Sequence, residues 1–497
     1  VVHRPGNRSS VVLTGFGLSI DELVAVARER QPVELAADVR ARMAASHEVV
    51  ERSLREGAQV YGLTTGVGVL KRVDVAAVAA EQSRDILRSH RVAQGPLAPH
   101  DLVRATMLRL ANAYAAGTTG VRPALAERLV DALDMDEIPP VRILGSVGQA
   151  DLAPMADLAA GLFGDLPLEG GEGLALVSSN AFSTAAAALA THDTTALLDA
   201  ATAAGALSLE ALRANLSLIH PGIGRVRPYP GLQRALARLG DLLEGSSLHE
   251  AGSARSLQDP LSFRNLPQLL GALEDALAYA RSQITVELNA SDSNPVVLPG
   301  EPSPVSVANY ESLPVAAALD HLRLVMASIL TAAGERAVKL LERPWSGLPT
   351  GLAEASHPGS PDSAETRDPG LAYLGIVVQG LVAEARLLAA PVSLEMASSS
   401  HAEGIEDRMA MAALAARRLE EQAALGRRIV AIEIVVAAQA IDLRASARLG
   451  RGASALHGLV RWLVPVYRAG EPIPDLEPLV TRLVEPLPGA ASTRPVS

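Results

Sequence analysis

Five polar stretches interrupt a chain whose pattern is otherwise apolar and helical, and they carry the residue types that acid–base chemistry needs. Tyr61 lies in Tyr61-Gly62-Leu63-Thr64-Thr65-Gly66-Val67-Gly68, where glycines permit positive φ and close backbone approach. A phenol there is a general base if neighbouring positive charge or donors lower its pKa, or a turn tyrosine packing its ring. Arg264, in Gln258-Asp259-Pro260-Leu261-Ser262-Phe263-Arg264, offers a planar fork for a substrate carboxylate, or an ion pair with Asp259. Glu406, in Ile405-Glu406-Asp407-Arg408, can accept from an amine or imidazole, or sit in a solvated first turn of a helix. His90 closes Arg88-Ser89-His90 and has a structural alternative. Asn289 to Pro295 reads as an Asx-rich turn that ends a helix.

A further stretch, Gly145-Ser146-Val147-Gly148-Gln149-Ala150-Asp151-Leu152-Ala153-Pro154, is a small-residue turn feeding a helix over Met155–Phe163. Such a junction suits an electrophile or an anion. The sequence contains no phosphate-binding loop, dinucleotide fingerprint, His-x-x-x-His pair or Gly-x-Ser-x-Gly elbow, so no metal is expected.

The elements that must position these residues are helices. Ser19-Ile20-Asp21-Glu22 reads as a capping box opening the first. Others are predicted over Glu34–Arg55, Ala79–Ser89, Asp101–Ala116 and Pro123–Leu133, then from Gly170 through Ala181–Ala204 towards Leu218, with His220-Pro221-Gly222 as the stop. Longer ones follow over Leu266–Val286, Leu313–Leu341, Leu371–Ala390, Glu406–Gln422 and Leu425–Arg448, enough for an antiparallel bundle. Arg343 to Gly370, with five prolines, reads as a surface crossover or lid, and the tail from Pro486 as disordered. The expected organisation is an N-terminal helical domain over 1–210 and a long-helix bundle over 211–497.

Composition narrows the class. Apolar residues make up 48% but aromatics only 3%, so the core is built from Ala, Leu and Val, as close helix packing favours. A net charge of −11 argues against nucleic acid as a main partner. Absence of cysteine excludes thiolate chemistry and disulfides. Val1–Gly15 lacks the apolar run of a secretory signal, and the apolar stretch Ile429–Ile441 is short and holds Glu433. No membrane and a cytoplasmic location are expected.

Taken in order, these stretches resemble the aromatic amino acid ammonia-lyase and aminomutase family, nearest to histidine ammonia-lyase, from about Leu18 to Leu483. The family's Tyr-Gly-Val-Asn-Thr-Gly-Phe-Gly is similar to Tyr61 to Gly68, and its Leu-Leu-Arg-Ser-His to Ile86 to His90. Its Gly-Ser-Val-Gly…Asp-Leu-Ala-Pro is similar to Gly145 to Pro154, and Glu-Gly-Leu-Ala-Leu recurs unchanged as Glu172 to Leu176. Gln-Asp-x-Tyr-Ser-x-Arg is similar to Gln258 to Arg264, Ser-Asp-Asn-Pro to Asp292 to Pro295, Asn-Phe-His-Gly to Asn309-Tyr310-Glu311-Ser312, and Gln-Glu-Asp-His to Ile405 to Arg408. The resemblance implies a mainly α, long-helix bundle of the ammonia-lyase (fumarase/aspartase-like) type, a homotetramer with sites shared among subunits. It implies Tyr61 as base, Arg264 as carboxylate clamp, and Glu406, His90, Asn309 and Tyr310 as substrate contacts.

The departures carry as much information. The family makes a methylidene-imidazolone electrophile from consecutive Ala-Ser-Gly. Here Gln149-Ala150 stands between Gly148 and Asp151, one residue fewer, without a serine or a glycine. Thr64, Ser178 and Leu261 replace an asparagine, an asparagine and a tyrosine that the family pattern places there. The prosthetic group is therefore expected to be absent, and no other cofactor is implied. The leading expectation is an electrophile-free lyase-like enzyme working on an amino acid or small carboxylate by elimination, addition or isomerisation. A non-catalytic binding or scaffold homologue, and a conventional histidine or tyrosine ammonia-lyase with an altered precursor, are the alternatives.

Overall fold

The computed structural model describes residues 9–353, 368–394, 401–444, 448–485 and 487. The chain forms two compact units, each assembled from separated segments. One comprises Val1–His192, Ala280–Asp320 and Pro391–Arg417; the other Asp193–Tyr279, His321–Ala390 and Arg418–Ser497. The blocks 1–210 and 211–497 do not coincide with these units, because Ala280–Asp320 and Pro391–Arg417 belong with the N-terminal segment and the first division falls between His192 and Asp193.

The first unit opens with two three-residue strands, Val11–Leu13 and Val33–Leu35, paired in parallel around the Ile20–Glu29 helix. Ser19 and Glu22 form the capping box anticipated there. The helix predicted from Glu34 starts only at Val39, since residues 33–35 are taken up by the strand pairing. Helices Ala79–His90, His100–Ala115, Pro123–Asp134 and Leu152–Phe163 follow, with a second small pairing of Gln94–Leu97 and Arg142–Leu144. Both strand pairs are too short to show a period in sequence. The long run from Gly170 breaks into Glu172–Val177 and Ala181–Leu212, and the second helix ends at left-handed Arg213 rather than at His220.

The second unit is held by small residues and buried polar pairs. A Cβ on Gly426 would lie 2.6 Å from Leu197 and 3.1 Å from Leu330, so this glycine lets helices touch. The two helices predicted over Glu406–Gln422 and Leu425–Arg448 are one, Ala412–Leu443, and Glu406 lies before it. Arg336, 1% exposed, forks onto Glu433, 0% exposed, with Nε–Oε1 at 2.6 Å and Nη2–Oε2 at 3.0 Å. Ser208 Oγ donates to the same carboxylate at 2.7 Å. Of the proline-rich stretch after Arg343, residues 343–353 form a short helix and a 3-10 turn. The lid expectation for 354–367 and the tail expectation from Pro486 fall almost wholly outside the described residues. Two helices are apolar and long enough to cross a membrane by composition, and their apolar windows are 89% and 56% buried within the protein.

Candidate active site

Tyr61 is half-buried, and its phenolic oxygen accepts from the Gly68 amide at 3.1 Å. Thr64 folds the loop behind it. Its hydroxyl donates to the Ala58 carbonyl at 2.8 Å and accepts from the Val60 amide at 2.8 Å. Burial pushes the Tyr61 phenol up from its ordinary value; the Gly68 amide pulls it down and the Glu406 carboxylate pushes it up.

Glu406 is held between two anchors. On one side Glu403 takes Lys71 at 2.9 Å and Arg72 at 3.2 Å, joining this segment to the stretch after the Tyr61 loop. On the other the Met411 amide donates to the Val147 carbonyl at 2.9 Å. The Tyr310 phenol is also raised, first by burial and then by Glu406, Tyr61 and Glu311. Tyr61, Tyr310, Glu311 and Glu406 are thus electrostatic neighbours in one unit; Tyr61, Tyr310 and Glu406 are the residues expected to meet one substrate.

The Gly148–Asp151 turn is clamped from several directions. Ser312 Oγ donates to the Gly148 carbonyl at 2.7 Å. Gln149 forms an antiparallel bridge with Glu311, and its Nε2 donates to Glu311 Oε2 at 3.1 Å. Ala150 adopts φ of 60°, and its amide donates to Asn180 Oδ1 at 3.1 Å. Asn180 Nδ2 donates to the Tyr310 carbonyl at 2.8 Å. A Cβ on Gly148, at φ of +78°, would lie 2.7 Å from the Met411 amide nitrogen. Asp151 is fully buried, taking Ser146 Oγ at 2.6 Å and the Ser183 amide at 2.7 Å. Burial raises its carboxyl to about 6 against those bonds. Below it Asp292 accepts from the Asn180 amide, Ser179 Oγ and Arg109.

Sequence reasoning missed Asn180, Asp292 and Arg109 as parts of this frame. Asn180 stands two places beyond Ser178, where the family pattern puts its asparagine. His90 ends its helix with Nδ1 at 2.8 Å from the Ile86 carbonyl, a contact within its own turn, and Asn309 is exposed. Arg264 belongs to the other unit, where its Nε donates to the Asp259 carbonyl at 2.7 Å instead of pairing with that carboxylate. Glu406 is not in a first helical turn. One group of donors, His47, Glu51 and Glu169, lies within 4.8 Å, but Arg122 already pairs with Glu169 at 2.9 Å, and this reads as an ion-pair network.

The chain matches the model of the aromatic amino acid lyase family over residues 18–169 and 165–462. It belongs to that family. Curated relatives agree: histidine ammonia-lyase of Treponema denticola is 32% identical over 91% of this chain and 92% of its own length. That of Stigmatella aurantiaca is 34% identical over 92% and 93%. Among solved structures, an ergothioneine-degrading ergothionase from Treponema denticola matches with TM-score 0.87 at 26% identity over 96% of this chain and 98% of its own. A tyrosine aminomutase from Streptomyces globisporus matches with TM-score 0.86 at 27% identity over 96% and 97%. The mainly α fold of this lyase family is therefore the fold of this chain.

The family's electrophile is a ring closed from three residues, which needs a serine hydroxyl to leave as water and an unhindered glycine amide. Gln149 and Ala150 provide neither. The backbone atoms flanking them are engaged as well, the Gly148 carbonyl by Ser312 and the Ala150 amide by Asn180. These residues do not fit the group.

Proposed function

We propose that this member of the aromatic amino acid lyase family catalyses an electrophile-free elimination, or the reverse addition, on an amino-acid-derived carboxylate. The observation that carries this reading is the pair Gln149-Ala150 in place of the three precursor residues, with Tyr61, Arg264 and Glu406 kept. Tyr61 is the proton carrier. Its phenolate oxygen takes a proton from the β-carbon, the C–H pair becomes the C=C bond, and the Cα–N pair departs with nitrogen. Gly68 N–H holds the phenolic oxygen in place, and Glu406 faces the nitrogen end. Arg264 clamps the carboxylate and is supplied by a neighbouring subunit of a cytoplasmic homotetramer. Support for assembly comes from the Ala372–Leu388 helix, where Tyr373, Ile376 and Leu387 are 62%, 65% and 77% exposed. A substrate other than a plain amino acid is supported by the relative named for degrading ergothioneine.

The test is formation of an α,β-unsaturated acid, followed by absorbance, across aromatic amino acids and their N-methylated derivatives. Tyr61→Phe should lower turnover by about 10²-fold or more, the range for a lost general base, while the protein stays folded. A protein with no turnover on any of these substrates, or one indifferent to Tyr61→Phe, would be the scaffold homologue instead.

A further inference from the structure

Three arginines gather at the end of the Ala181–Leu212 helix, within the second unit. Arg444 Nε donates to the Ala211 carbonyl at 2.7 Å, and its Nη2 donates to the Ser346 carbonyl. Arg255 Nη2 donates to the Pro344 carbonyl of the same short helix at 3.1 Å. Its Nη1 lies over Gly347, where a Cβ would stand 2.3 Å away. Arg213 Nη2 donates to the Ser253 carbonyl at 2.8 Å, and the Arg213 carbonyl accepts from the Arg255 amide at 2.9 Å. Every hydrogen-bond partner of the three guanidiniums is a backbone carbonyl, and among the described residues none of them meets a carboxylate.

We propose that Arg213, Arg255 and Arg444 form a binding site for a diphosphate group, either as the inorganic ion or carried on a nucleotide. The site does not depend on the elimination proposed above.

Three physical arguments lead there. The first concerns charge. The chain carries 55 acidic against 44 basic side chains, so acids are in ample supply. The arginines that follow Arg444 take them: Arg448 pairs with Glu250 at 3.0 Å, and Arg451 with Glu244 at 2.8 Å. The trio instead caps helix-end carbonyls. These amount to roughly half a negative charge per helix, which offsets only part of three full positive ones. The second concerns the backbone. Arg213 follows its helix in the left-handed region at φ of 59°, where glycine is at ease and a Cβ is strained. An arginine at such a place is explained by its side chain. The third concerns shape. Arg213 and Arg255 are exposed and Arg444 is half-buried, so the cluster is open to a ligand. One guanidinium fork serves a planar carboxylate, whereas forks from three separate segments suit the many-oxygened, tetrahedral faces of linked phosphates.

The test is calorimetric titration of the full chain with inorganic pyrophosphate at low salt, beside ADP and citrate. Pyrophosphate should bind saturably, about tenfold or more tightly than citrate, and should weaken as sodium chloride is raised. ADP binding tighter than pyrophosphate marks a nucleotide as the source, and the reverse marks the inorganic ion; both support the diphosphate site. Arg213→Gly removes a guanidinium and suits the left-handed backbone, so the variant keeps its fold. It and Arg255→Gln should each weaken pyrophosphate by about tenfold or more. Arg448→Gln, at an arginine already paired with Glu250, should leave affinity within about threefold. Guanidiniums that only cap helix ends would lower thermal stability in Arg255→Gln and leave pyrophosphate affinity unchanged in both trio variants. That result, the absence of saturable binding, citrate binding as tightly as pyrophosphate, or an equal loss in Arg448→Gln overturns the proposal.

Discussion

Replacing Asn180 by alanine removes a buried side chain that joins the Ala150 amide to the Tyr310 carbonyl. Asn180 is 0% exposed, and its carboxamide spends both ends in the interior: the Ala150 amide at 3.1 Å and the Tyr310 carbonyl at 2.8 Å. Alanine leaves a donor and an acceptor without partners, and Ala150 is only 3% exposed. Each orphaned buried group costs about 1–3 kcal/mol, so the pair costs about 2–6 kcal/mol, the lower end applying if water enters the space. The effect is local, so the assay is hydrogen exchange at the Ala150 amide. Its protection should fall by about 30-fold or more, the factor that 2 kcal/mol represents. The Asn180 amide keeps its 2.6 Å bond to Asp292 in the variant and serves as an internal control. Exchange at Ala150 within about threefold of the parent would refute the clamp.

Asp151 makes stability depend on pH. Burial holds its carboxyl at about 6 against an ordinary 3.8, so the folded chain keeps a proton that the unfolded chain releases. That contributes stability of about 3 kcal/mol, fully present below pH about 4 and lost as pH rises through about 6. Stability measured from acid to neutral pH should fall relative to Asp151→Asn across that window; parallel curves would contradict it. In the second unit, Glu433→Ala strands Arg336, which is 1% exposed, and should cost about 3–5 kcal/mol in denaturant unfolding. The double variant Arg336→Met with Glu433→Leu should cost less than that single change, because no buried charge is left unpaired.

The sequence exposed the local signals and hid the distant ones. Ser19 and Glu22 announce a helix start three residues apart, and the helix read over Leu313–Leu341 forms with those bounds. Glycine was harder to read. Nothing in the sequence marks Gly426, within the predicted Leu425–Arg448 helix, as the place where Leu197 and Leu330 pack, and only the assembled unit shows this. Tyr61, Tyr310 and Glu406 could be named from motifs, whereas the frame that holds them could not. Asn180 reaches partners 30 and 130 residues away, and Gln149 meets Glu311 at a separation of 162. No periodicity or local spacing encodes such pairs. Glu406 was misplaced onto a helix because the apolar pattern from Ala412 extends backwards without a clear break, while left-handed Met411 sets the true boundary.

The mass of the intact, freshly purified chain bears most directly on the account. Unmodified Gly148-Gln149-Ala150-Asp151 predicts the mass of the bare sequence, and a peptide spanning these residues should fragment as an ordinary linear chain. A product lighter by two waters, with the loss confined to that peptide, would contradict it and return the protein to amine capture by a backbone-derived ring.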